Sequence, residues 1–116
     1  PKSGSTEFPV GTIIVKTETV GDDPHHWTVF GRAKRGGGYN DEGAKNWEWF
    51  GIIISNQGTP LIDWRGKVPP AFTNYACELG EGDDTAVLEL GECNLCHAAA
   101  IDNDYVFSTV LDLDDL

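Results

Sequence analysis

Between Thr12 and Val20 the chain alternates. Ile13, Val15, Thr17 and Thr19 fall on one side of an extended backbone, and Thr12, Ile14, Lys16, Glu18 and Val20 on the other. A period of two among β-branched residues predicts a strand, with neither face wholly polar. Gly21-Asp22-Asp23-Pro24 is a turn by composition, and Trp27-Thr28-Val29-Phe30 opens a second strand expected to run to Lys34. A flexible glycine-rich loop, Arg35 to Gly43, leads to a third strand over Trp47 to Ser55, which sets Trp47 and Trp49 against Glu48 and Phe50 before Ile52-Ile53-Ile54. Asn56-Gln57-Gly58-Thr59-Pro60 reads as a hairpin connection, and Leu61-Ile62-Asp63-Trp64 as its return strand. Pro69-Pro70 breaks whatever precedes it, and a short helix is expected through Phe72 to Leu79. After the turn Glu81-Gly82-Asp83-Asp84, a last strand over Thr85 to Leu90 alternates Ala86, Leu88 and Leu90 against Thr85, Val87 and Glu89. Cys93 to Ala100 suits a helix, and Asn103 to Leu111 a second short one with Asp102 or Asn103 as cap.

The pattern predicts a mainly β fold: a twisted antiparallel sheet of about five strands, with short helices gathered at its C-terminal end. The 116 residues form one domain, residues 1–116. No apolar run approaches the roughly 20 residues that a membrane-spanning helix needs. A formal charge of -11 makes the phosphate contribution to binding repulsive, which argues against nucleic acid or an anionic membrane as partner. It leaves room for a basic redox partner. The acidic tail from Asp112 to Leu116 reads first as a solvated surface. The glycine run at Gly36 to Gly38 lacks the order of a phosphate-binding loop.

The strand over Thr85 to Leu90 delivers the chain into Cys93-Asn94-Leu95-Cys96-His97. This CxxCH pentapeptide is the attachment signal for a c-type haem. Two thiols three positions apart at the start of a helix reach the two vinyl groups of one porphyrin edge, and the adjacent imidazole swings under the iron. A zinc half-site would want four ligands, with only Cys77, His25 and His26 left to complete it. A thioredoxin-like pair opens a helix in an α/β pattern without the trailing histidine. The expected cofactor is one covalent haem c, held by Cys93 and Cys96 with His97 as the iron ligand. Cys77 is then left over, read as a buried free thiol, with an intermolecular bridge or a second covalent attachment as alternatives. Attachment of this kind happens outside the bacterial cytoplasm. The chain opens Pro1-Lys2-Ser3-Gly4-Ser5-Thr6 without a signal peptide, so a processed or excised form of a periplasmic or otherwise exported protein is expected.

The sixth iron position decides the function. The chain has no methionine, which excludes a His/Met electron carrier within it. His25 and His26, beside Pro24 in the expected turn, read as exposed imidazoles, with a bis-His haem as the alternative. Lys16 could bind iron only as a neutral amine, which needs strong desolvation. An open position is favoured, because Phe30, Trp47, Trp49, Phe50 and Trp64 can wall a dry pocket, although such aromatics also build ordinary sheet cores. Phe30 and Trp49 are the cofactor-contacting candidates.

Phe8-Pro9-Val10-Gly11-Thr12-Ile13-Ile14-Val15-Lys16, Ala33 to Asn40 followed by Asn46-Trp47-Glu48-Trp49-Phe50, and Cys93 to His97 with Asp104-Tyr105-Val106-Phe107 together resemble the cytochrome P-460 family, which includes the cytochromes c'-beta. The resemblance covers nearly the whole chain. It implies an antiparallel β fold, one high-spin haem c with a proximal histidine and an open distal side, and commonly a homodimer. Members either oxidise hydroxylamine or bind nitric oxide and carbon monoxide. Cys93 and Cys96 match the thioether cysteines and His97 the axial ligand. Lys16 matches the lysine that the hydroxylamine-oxidising members link covalently to the porphyrin edge; a lysine at a strand's solvent edge is the plainer alternative. The family usually carries a helical, aromatic-rich segment before the FPxGT stretch that is expected to be missing here, and Cys77 falls outside its pattern.

Three function classes follow. The first is a gas-binding haem protein taking nitric oxide or carbon monoxide. The second is a hydroxylamine-oxidising enzyme with a Lys16 cross-link, which needs a base near the distal ligand, Glu18 and Glu89 being the nearest by strand position. The third is a bis-His electron-transfer domain, in a larger assembly or with a partner cytochrome. Leu88 and Leu90, not carboxylates, share a face just before the motif, which favours gas binding.

Overall fold

The computed structural model describes residues 5–18, 21–23, 27–41, 43–70, 93–108, 110, 111 and 113. Four strands form one antiparallel sheet in chain order: β1 (Ile13–Glu18), β2 (Thr28–Lys34), β3 (Trp47–Ile54) and β4 (Pro60–Gly66). The sequence expectation of about five strands counted Thr85 to Leu90, which lies outside the described residues. So do the expected helix at Phe72 to Leu79, His25, His26, Cys77 and Glu89.

Register assigns the two faces. Lys16 pairs with Phe30, Phe30 with Gly51, and Gly51 with Trp64; one step along, Ile14 pairs with Arg32 and Arg32 with Trp49. Directly paired residues point to the same side. Ile14, Lys16, Phe30, Arg32, Lys34, Trp47, Trp49 and Trp64 therefore share the inner face. A register shift between Gly51 and Ile52 against β4 leaves Ile53 and Leu61 on this face too. The buried core lies there, built from Phe8, Ala44, Trp47, Trp49, Val106 and Leu113, with Ile14, Trp64, Cys93 and Tyr105 packed against it.

The outer face carries Val15, Gly31, Phe50 and Arg65 in register. Glu48, also outward, is buried and accepts hydrogen bonds from Arg35 Nε, from Arg65 Nε at 2.7 Å and from Arg65 Nη2 at 3.0 Å. These bonds hold its carboxyl below the ordinary range. The Ser55 to Thr59 connection closes as a hairpin, with Ser55 N–H donating to Thr59 C=O at 2.9 Å and Gly58 in the left-handed region at φ 79°.

A six-residue helix, α1 (Cys93–Ala98), is followed by a 3-10 turn at Ile101–Asn103. The helix expected over Asn103 to Leu111 does not form. Asp104 and Tyr105 instead take left-handed conformations, φ 50° and 65°, and the Asn103 side chain binds backbone that a helix would have used. It donates to the carbonyls of Val106 and Leu111 at 2.9 Å each and accepts from Leu113 N–H at 2.9 Å. Asparagine competes with helix through such local bonds, so neither Asp102 nor Asn103 caps a helix there.

Candidate functional site: the CxxCH helix against the sheet

Six residues make too short a helix to hold its own shape in water. α1 is held by Asn94, a residue that the CxxCH pattern leaves unspecified. Asn94 is buried; its Oδ1 accepts from Asn40 Nδ2 at 2.7 Å and Trp49 Nε1 at 2.9 Å, and its Nδ2 donates to Lys67 C=O at 3.2 Å. Asn40, fully buried, also donates to Trp47 C=O at 3.1 Å. Gly43 lies so close beneath α1 that an added Cβ would stand 2.5 Å from the Asn94 carbonyl oxygen.

The bolted helix presents His97 to the inner face. The imidazole lies between Trp49, centroids 4.7 Å apart, and Phe107, 5.3 Å apart, tilted against both. Its Nδ1 is 2.8 Å from Tyr105 C=O. A carbonyl only accepts, so this bond requires the Nδ1–H tautomer, in which the Nε2 lone pair is left for another partner. Burial drives the His97 pKa down to about 4, aided by the charges of Arg32 and, less, Lys16, and opposed by the Tyr105 bond. The ring is neutral at physiological pH.

Tyr105 is aimed by what holds Asp104. Lys34 Nζ reaches the Asp104 carboxylate at 2.6 and 2.7 Å, both groups buried, and Phe8 N–H donates to it at 2.8 Å. Trp47 Nε1 donates to Asp104 C=O at 2.9 Å. These contacts over-determine two consecutive left-handed residues that cost about 1–3 kcal/mol each when unsupported. Arg32, 6% exposed, donates through Nη1 to Tyr105 C=O, and Nη1 stands 3.0 Å from His97 Nδ1. Its guanidinium lies over Trp47 and Trp49, 5.1 and 5.7 Å from the ring centroids.

The structure brings together some of the candidates read from sequence and separates others. His97 and Trp49 touch. Phe30, Trp64 and Lys16 share their face, Lys16 being solvent-exposed. Trp47 is fully buried and T-shaped against the Phe8 ring, so it belongs to the core beneath the site. Phe50 points to the outer face, where it lies over Gly31, and walls no inner pocket. Glu18 ends β1.

Cys93 is a free thiol, its pKa pushed up to about 11 by burial. Cys96 is disulfide-bonded, and not to Cys93. A thioether at Cys96 and this disulfide are exclusive uses of one sulfur. Among the described residues no group of three or more His, Cys, Asp and Glu gathers that could hold a metal ion, and no helix is long and apolar enough to cross a membrane. Porphyrin iron asks the protein for a single imidazole, neutral, with Nε2 available and Nδ1–H fixed by a carbonyl. His97 fits that requirement.

Sequence reasoning missed Asn94, Asn40, Arg32 and the buried Lys34–Asp104 pair. The signal for Arg32 and Lys34 was available: alternation from Phe30 carries both to the inner face, but charge alone suggests solvent. Asn94 had no signal, since it occupies a spacer position. No family model, curated protein or solved structure matches this chain.

Proposed function

We propose that the chain is a mono-haem c protein in which Cys93 and Cys96 form the thioethers, His97 is the proximal ligand, and the open distal side takes nitric oxide or carbon monoxide. The observation that carries this reading is the Tyr105 carbonyl on His97 Nδ1, immediately after a Cys-x-x-Cys turn of helix. A structural histidine has no need of a fixed Nε2 lone pair; an iron ligand does. The apolar inner face beyond Trp49, with Phe30, Trp64, Ile53 and Leu61, supports binding of diatomic ligands that need little hydrogen bonding. Both Ile53 and Leu61 are 48% exposed, leaving apolar surface on that face to be covered. When bound, haem would supply the iron. His97 would hold it from one side, and Arg32, Tyr105 and Asp104 would hold His97.

The test is expression with a c-type haem attachment system, followed by absorption spectroscopy and intact mass. The expected result is one covalent haem, a five-coordinate ferrous spectrum, and a shift on adding carbon monoxide. A chain that gains no haem mass overturns the assignment, and a six-coordinate low-spin reduced spectrum overturns the open distal side.

A second reading, hydroxylamine oxidation with Lys16 cross-linked to the porphyrin edge, is favoured by Lys16 facing the same side as His97 and depressing its proton affinity. Tryptic mass spectrometry separates the two. A Lys16 peptide joined to the haem peptide supports oxidation, and a freely released one supports gas binding.

A further inference from the structure

We propose that Arg32 is a positioning and tuning residue for His97: by sharing the Tyr105 carbonyl it limits how much electron density the imidazole can pass to a bound iron. The inference rests on the reading of His97 as iron ligand. It begins with an acceptor that serves two donors. Tyr105 C=O receives His97 Nδ1–H at 2.8 Å and Arg32 Nη1–H. A guanidinium has donors only, so its 3.0 Å contact with Nδ1 and the Nδ1–H bond to Tyr105 belong to alternative tautomers; in the Nδ1–H tautomer, on which the proposal rests, Arg32 holds a positive charge against the ring's N–H edge.

Burial lowers the proton affinity of Arg32, and the Asp104 carboxylate offsets its charge only in part. The buried carboxylate nearest in the network, Asp104, is already bound by Lys34 and by Phe8 N–H. Among the described residues no carboxylate forms a salt bridge with Arg32. The Trp47 and Trp49 rings fix the guanidinium plane, and the site is buried, so solvent screens the charge little.

An imidazole whose Nδ1–H is bonded to a carboxylate gains imidazolate character and becomes a strong donor through Nε2. A carbonyl acceptor gives less of this, and a carbonyl polarised by a cation gives less again. Arg32 therefore makes His97 a weak axial donor, which favours ferrous over ferric iron. Lys34 and Asp104 act on the same carbonyl from the other side, by fixing the backbone that aims it.

Three measurements test this. In the haem-loaded protein, Arg32→Met is expected to lower the reduction potential and raise the iron–histidine stretching frequency in resonance Raman spectra at unchanged haem content. Arg32→Lys, which keeps the charge, is expected to recover most of both shifts. Equal potentials in wild type and Arg32→Met overturn the proposal, as does Arg32→Lys shifting as far as Arg32→Met. If Arg32→Met does not fold, 15N NMR of the full wild-type chain expressed without haem decides by itself. The Nδ1–H tautomer of His97 is expected, whereas an Nε2–H tautomer, with Nδ1 accepting from Arg32, removes the shared-carbonyl arrangement. Failure of haem attachment would count against His97 as ligand and leave the tautomer result standing.

Discussion

At the scale of single residues, His97 stays neutral because folding removes it from water and sets Arg32 beside it. Its folded pKa of about 4 lies below the 6.5 of a free imidazole, so between these values the unfolded chain binds a proton that the folded chain refuses. His97 thus contributes stability that is complete above pH 6.5 and lost as pH falls toward 4. Urea unfolding of the haem-free chain across that window should show wild type losing more stability than His97→Gln. Asp104 is the other residue with a large expected effect. Asp104→Ala leaves buried Lys34 with only the exposed Glu7 carboxylate at 3.6 Å, and should cost up to about 3–5 kcal/mol in the same assay, with the Tyr105 carbonyl released from His97. The chemistry-bearing part of the site was legible in the sequence because CxxCH fixes residue types at fixed spacing. The supporting part was not. Arg32, Lys34 and Asp104 act through burial and through two left-handed backbone positions, and neither property has a one-residue signature.

At the scale of elements, runs of β-branched and aromatic residues bounded by Gly, Pro, Asn and Asp turns locate the strands β1 to β4 to within a few residues, although β3 begins buried on both faces and β4 is largely exposed. The C-terminal segment resisted reading for the opposite reason. There polar groups are satisfied by side chains, Asn103 binding three backbone groups and Asn94 one backbone carbonyl and two side-chain donors, and such pairings follow from tertiary position. Asn94→Ala should therefore damage α1 out of proportion to its size. It removes the acceptor of the buried Trp49 Nε1–H and one bond of Asn40 Nδ2, which keeps its bond to Trp47 C=O, at a cost of about 1–3 kcal/mol. Hydrogen exchange should report it as lost protection of the Ala99 and Ala100 amides, which donate back to Cys96 and His97, while the sheet amides of β2 and β3 keep theirs.

At the scale of the whole molecule, the sheet and the C-terminal segment meet in one polar seam, running from Phe8 through Lys34 and Asp104 to Tyr105, His97 and Arg32. On the haem reading, the oxidation state of Cys96 decides whether this assembly can be completed. Addition of a thiol across a vinyl group forms one carbon–sulfur bond and moves the thiol hydrogen to carbon, and a sulfur held in a disulfide has no hydrogen to give. Chain kept reduced should load haem to one equivalent, and chain oxidised beforehand should gain at most the single linkage at Cys93, a difference that intact mass under denaturing conditions reads directly. The burial of Asn94 carries this further. With its amide bonded to Asn40, Trp49 and the Lys67 carbonyl, the Cys-x-x-Cys turn is fastened against the sheet. On the haem reading, insertion of the prosthetic group would come before the final docking of this turn, and a chain that docked first would close its own door on the cofactor.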